Sequence, residues 1–135
     1  MPFTRISISR ESFDDQRQAV SEILQQCLET HFDVPPGDCF QMFEAYSPQQ
    51  KVFDNDYPNL SKARSNAGLL FHIFAGKPRN HSQKRAFFQA LCQNLEQKIA
   101  VRPEDVMVII QFNDAEDWSF SSGLSMKDMM IGDMQ

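Results

Sequence analysis

The chain matches itself. Shifted by 67 positions without a gap, Gln16 falls on Gln83, Ala19 on Ala86, Leu24 on Leu91, Leu28 on Leu95 and Glu29 on Glu96. The match runs on through Val34 on Val101, Pro36 on Pro103 and Asp38 on Asp105, with nine identities in the 23 positions from 16 to 38. Helical periodicity alone does not produce that many identities, and self-similarity at a fixed offset is a statement about architecture. The two copies cover roughly 2–46 and 69–113 of a single domain, 1–135, with a linker at 47–67 and a tail at 121–135. They differ at one chemically important place: the first opens on Pro2, whose counterpart is Leu69.

Each copy reads as strand, helix, strand. Thr4, Ile6 and Ile8 alternate with Phe3, Arg5, Ser7 and Ser9, the period of a strand with one buried face. Ser12 with Asp15 three residues on resembles a capping box, and Val20, Ile23, Leu24, Cys27 and Leu28 then line one helical face. Val34-Pro35-Pro36-Gly37 ends that helix near Phe32, and Cys39–Tyr46 is the second strand. In the second copy Gly68–Gly76 is a buried strand, Ser82 caps a helix to about Ile99, and Val106–Phe112 is rich in β-branched residues. The linker carries Pro48 and Pro58 and is expected to form a loop with a short extra strand near Val52–Phe53.

Strand-helix-strand units of this size pair their strands in parallel through right-handed crossovers. Two consecutive βαβ units predict an α/β (α+β) fold, a four-stranded sheet with both helices on one face. The other face then needs a cover, and another subunit is the expected one. A net charge of −5 argues against nucleic acid or an anionic membrane as partner, despite the locally basic 77–85. No run approaches the roughly 18 apolar residues of a membrane span. Three cysteines without a CxxC pair read as free thiols, placing the protein in a reducing cytoplasm.

The residues now in hand carry a resemblance. Met1-Pro2 opening a strand, the Val34-Pro35-Pro36-Gly37-Asp38 turn, Lys77-Pro78-Arg79 after the third strand and Trp118-Ser119-Phe120 near the end resemble the tautomerase superfamily. Within it the chain is most similar to the malonate semialdehyde decarboxylases. The resemblance implies a homotrimer, a first proline bared by removal of Met1, small oxo acids as substrates and no cofactor. It also implies roles. Pro2 is the acid/base centre, Asp38 assists proton movement or orients water, and Lys77 and Arg79 hold the substrate carboxylate. Trp118 and Phe120 form an aromatic wall that keeps water out.

The chemistry of these residue types agrees. An α-amine titrates near ~7.7–8.0, so a proline amine can take a proton α to a carbonyl or polarise the carbonyl as an acid. The guanidinium of Arg79 grips a carboxylate with two parallel hydrogen bonds, whereas Lys77 offers charge without the fork. The decarboxylases have arginine at both places, a tyrosine where Phe40 stands and an aromatic where Ser122 stands. Each residue also has a plain structural reading: Pro2 as a strand-start proline, Asp38 as a turn aspartate like Asp105, Trp118 and Phe120 as a core pair. Proton transfer, decarboxylation and hydration therefore stay open, beside a non-catalytic trimeric protein of the same fold that binds a small acid or a partner. His31, His72 and His81 lack metal-ligand spacing, and His81 is placed at the mouth of the site. Met126, Met129, Met130 and Met134 make an adaptable apolar tail, suited to docking on a neighbouring subunit or to fraying.

Overall fold

The structure, a computed structural model, describes residues 2–133; Met1, Met134 and Gln135 lie outside the described residues. Four strands form one sheet: β1 (Pro2–Ser9), β2 (Gln41–Tyr46), β3 (Leu69–Ala75) and β4 (Val106–Phe112). Helix α1 (Arg10–Phe32) joins β1 to β2, α2 (His81–Ile99) joins β3 to β4, and a short α3 (Met126–Asp133) follows. The strand order is β2-β1-β3-β4, with β1∥β2 and β3∥β4 parallel and the two halves meeting antiparallel at β1 and β3.

The repeat is visible in three dimensions as an internal two-fold. Arg5 faces His72 across the central pair, and these residues are 67 apart, so the pseudo-axis passes between them. Cys27 and Asn94, again 67 apart, meet across the helix pair at 4.0 Å. Both long helices end on a left-handed residue, Asp33 at φ 53° and Ala100 at φ 58°. The next amides, Val34 and Val101, bond back to Leu28 and Leu95.

Even-numbered residues of β1 and odd-numbered residues of β3 point into the core. Ile6, Phe71 and Ile73 are fully buried against Val20, Leu24 and Leu28 of α1 and Phe87, Leu91 and Leu95 of α2. Phe32 stacks on Phe87 with ring centroids 4.7 Å apart, which locks α1 to α2. Each such side chain contributes roughly 1.5–3 kcal/mol by leaving water. Neither α1 nor α2 covers the opposite face, and there Met42 and Ile109 are 57% and 46% exposed.

Four local expectations need correction. Helix α1 is capped by Ser9, not Ser12; the Ser9 hydroxyl accepts from the Ser12 amide, so the helix starts three residues earlier. Helix α2 is capped by Asn80, not Ser82, through a reciprocal box with Gln83. Asn80 competes because its side chain reaches the third amide while Gln83 returns the bond. The extra strand near Val52–Phe53 is absent, because Val52 is 96% exposed with no strand beside it; a 3-10 turn at Pro48–Gln50 precedes it instead. β2 begins at Gln41 rather than Cys39.

Candidate active site

The topology gathers most of the predicted site residues at one end of the sheet. Pro2 is the first residue of β1 and is buried, paired in register with Ala75, the last residue of β3. Lys77 therefore emerges two residues beyond Pro2's partner on one side. On the other side the Thr4 amide donates to the Phe40 carbonyl at 3.0 Å, and Thr4 pairs with Gln41 in a parallel register. That register brings the Asp38–Phe40 approach to β2 alongside the start of β1. Asp38 is held in its turn by its own amide, which donates to Pro35 at 3.1 Å, and by its carbonyl, which accepts from Gln25 at 3.2 Å.

Arg79 occupies a different position from a free carboxylate clamp. One guanidinium nitrogen donates to the Phe32 carbonyl and another to the Lys77 carbonyl, both at 2.5 Å, and the group lies 5.0 Å from the Phe32 ring. It thus ties the β3–α2 turn to the C-terminal end of α1, where helix carbonyls lack internal partners. Burial lowers its pKa, with Asp33 acting in the opposite direction. Its charge stays between the C-terminal end of α1 and the β3–α2 turn.

The aromatic segment is not core. Trp118 is half-buried and Phe120 is 38% exposed; their rings stack at 5.3 Å. Phe40 continues the row, 5.3 Å from Phe120. The indole N–H of Trp118 donates to Asn113 Oδ1 at 2.6 Å, and the Asn113 amide donates to Ala75, the register partner of Pro2. A cleft of about 280 Å³ opens between Trp118, Asn113, Asp117, Phe3 and Phe74 on the face opposite α1 and α2. Phe40 and Asn113 are the residues that sequence reasoning missed here. The first was read only as a lost tyrosine, and the second has no motif. His81 turns instead along its own helix to Arg85, 2.9 Å away.

A proline thus opens an inner strand of two paired βαβ units, with a cationic turn on one side of it and an acidic turn on the other. A family model described as "Tautomerase enzyme" matches residues 38–121, and the chain belongs to that family. It is 28% identical over 123 residues to the probable tautomerase YusQ of Bacillus subtilis (strain 168), covering 91% of this chain and 95% of that protein. Among solved structures, the FG41 malonate semialdehyde decarboxylase inhibited by 3-bromopropiolate superposes with a TM-score of 0.84 at 27% identity, covering 96% of each chain. The fused 4-OT Q0, a symmetric trimer, shares the fold with a TM-score of 0.72 at 16% identity over 93% of this chain and 96% of that one.

Proposed function

We propose that the chain is a cofactor-independent enzyme acting on a small oxo acid, with the nitrogen of Pro2, bared by loss of Met1, as its acid/base centre. The observation that carries this reading is the convergence of Pro2, the Asp38 turn and the Lys77-Pro78-Arg79 turn at one end of the sheet, beside an aromatic cleft. Lys77 and the N–H donors of Arg79 that are not bound to the Phe32 and Lys77 carbonyls hold the substrate carboxylate. Trp118, Phe120 and Phe40 exclude water, which strengthens every electrostatic contact inside.

In tautomerisation the neutral Pro2 amine removes the α-proton, the C–H electrons move into the enol, and the proton returns to carbon or oxygen. In decarboxylation of a β-oxo acid the protonated amine polarises the carbonyl oxygen. The carbon–carboxylate bond then breaks, carbon dioxide leaves, and the resulting enolate takes a proton at carbon. Asp38 orients water when the same site adds it. Likeness to malonate semialdehyde decarboxylases favours the second and third reactions, and likeness to YusQ the first.

The exposed apolar residues of the face opposite α1 and α2, Met42 and Ile109, support self-association, and the trimeric fused 4-OT supports a trimer. A reducing, cytoplasmic setting agrees with three free thiols. Among the described residues no helix is long and apolar enough to cross a membrane. A second reading, binding without turnover, draws on Arg79, whose two donors are engaged by backbone carbonyls. The test is exchange of the α-protons of pyruvate and release of carbon dioxide from malonate semialdehyde, each with the wild type and Pro2→Ala. Catalysis predicts a loss of 10²-fold or more in Pro2→Ala; equal rates in both proteins leave binding alone.

A further inference from the structure

The internal two-fold that relates the halves also relates two clefts. Moving 67 residues back from the cleft beside Pro2, Asn113 becomes Tyr46, Asp117 becomes Gln50 and Trp118 becomes Lys51, while Phe120, stacked on Trp118, becomes Phe53. Tyr46, Gln50, Lys51 and Phe53 all line a cavity of about 330 Å³ at the far end of the same sheet face. Its strand walls correspond too: Leu70 stands for Phe3 and Ser7 for Phe74. The 3-10 turns that frame the two clefts, Pro48–Gln50 and Ala115–Asp117, carry the same reciprocal cap, from Ser47 with Gln50 and from Asp114 with Asp117.

One substitution between the clefts changes the chemistry. Where one half has the Trp118 indole, the other places the Lys51 ammonium, 5.0 Å from the Tyr46 ring and 5.3 Å from the Phe53 ring. Its Nζ donates to the Tyr46 hydroxyl at 3.3 Å, while that hydroxyl donates to the Gly68 carbonyl. A Cβ at residue 68 would stand 3.0 Å from Nζ, so a side chain there would push the amine back by a few tenths of an ångström. Gly68 is the counterpart of residue 1, the residue whose removal would bare the Pro2 nitrogen. Lys51 Nζ thus lies at the start of β3, the end of that inner strand equivalent to the Pro2 end of β1.

We propose that the Lys51 cleft is a second binding site for small oxo-acid carboxylates, the two-fold mate of the Pro2 site, with the Lys51 side chain supplying the cation. The ligand class rests on the reading of the Pro2 site; the location does not. Among the described residues Lys51 has no ion-pair partner: Glu44, in the same wall, is bound to Arg5, and Asp105 is committed to Ser65. Burial lowers the Lys51 pKa, with Asp105 opposing and Arg64 reinforcing that shift. An anion at Nζ would offset the cost of holding that charge among aromatic rings. Leu70, Phe53 and Val52 supply the apolar side against which a short carbon chain packs.

The test is an NMR titration of the whole protein with sodium pyruvate, read at the Gly68 amide for this cleft and at the Trp118 indole for the Pro2 end. The expected result is a saturable shift at Gly68 that weakens at least tenfold in Lys51→Met, while the Trp118 signal keeps its position and its response. Gly68→Ala, which puts a methyl against Nζ, should weaken the same shift. An unmoved Gly68 amide, or a shift that persists unchanged in Lys51→Met, overturns the proposal. A Gly68 response with a silent Trp118 supports the second site and counts against the Pro2 reading.

Discussion

Asp105 offers the sharpest test of how the linker is held. It is only 4% exposed, at the end of the 3-10 turn Pro103–Asp105 that leads into β4. One carboxylate oxygen accepts the Ser65 amide at 2.8 Å and the other the Ser65 hydroxyl at 2.6 Å, so this side chain pins the end of the linker to the sheet. Arg102 stands 3.9 Å away but is itself exposed, which limits that pair to about 0–1 kcal/mol. A hydrogen bond to a charged acceptor contributes about 1.5–3 kcal/mol, and Ser65, being half-buried, regains water once the carboxylate is gone. Taking the low end for both bonds gives about 3 kcal/mol for Asp105→Ala. At this chain length that corresponds to a fall in Tm of about 10 °C. Asp105→Asn, which keeps one acceptor and the shape, should lose about half as much. Differential scanning calorimetry of the three proteins measures it. A fall below about 3 °C in the alanine variant would refute the claim that this carboxylate anchors the linker.

Other outcomes follow from single contacts. Phe87→Ala removes a fully buried ring stacked on Phe32 and should cost about 3–5 kcal/mol in urea unfolding, with Phe87→Leu costing much less. Asn113→Leu leaves the Trp118 indole without its acceptor; losing about 1 kcal/mol of positioning lowers kcat/KM about fivefold and alters Trp118 fluorescence. Burial raises the Cys27 thiol, so its proton is retained in the folded protein after the unfolded chain has lost it. That contribution is fully present below the ordinary thiol pKa of ~8.5 and is lost as pH rises above it. Thermal scans should therefore show a Tm decline above that pH that Cys27→Ala reduces. Exposed Cys39 should meanwhile alkylate well ahead of buried Cys27.

The fold was legible because the repeat and the strand periods carry it: positions 67 apart turn up as equivalent caps, Asp33 and Ala100, and as the Cys27–Asn94 contact. Helix starts were less legible, since Ser9 and Asn80 compete locally with Ser12 and Ser82 and only the amide geometry decides. At the site, the resemblance grouped Lys77 and Asp38 with Pro2, and the strand registers set both of their turns at that end of the sheet. It was not enough to show Arg79 bound to the Phe32 carbonyl, a contact 47 residues distant that depends on how α1 ends. Lys51 went unread for another reason: it resembles nothing as a motif. Its signal was the offset of 67 from Trp118, which becomes meaningful only once both residues are seen lining matched clefts.

The central claim is that Pro2 presents a reactive amine in a site for small oxo acids. Intact-mass spectrometry of the purified Cys39→Ser protein, before and after exposure to 3-bromopyruvate, tests it most directly, because that exposed thiol can no longer compete. The account predicts a mass lacking Met1 and a single adduct that maps to Pro2 and is absent in Pro2→Ala. A retained Met1, or a free Pro2 that stays unmodified while other groups react, would contradict it.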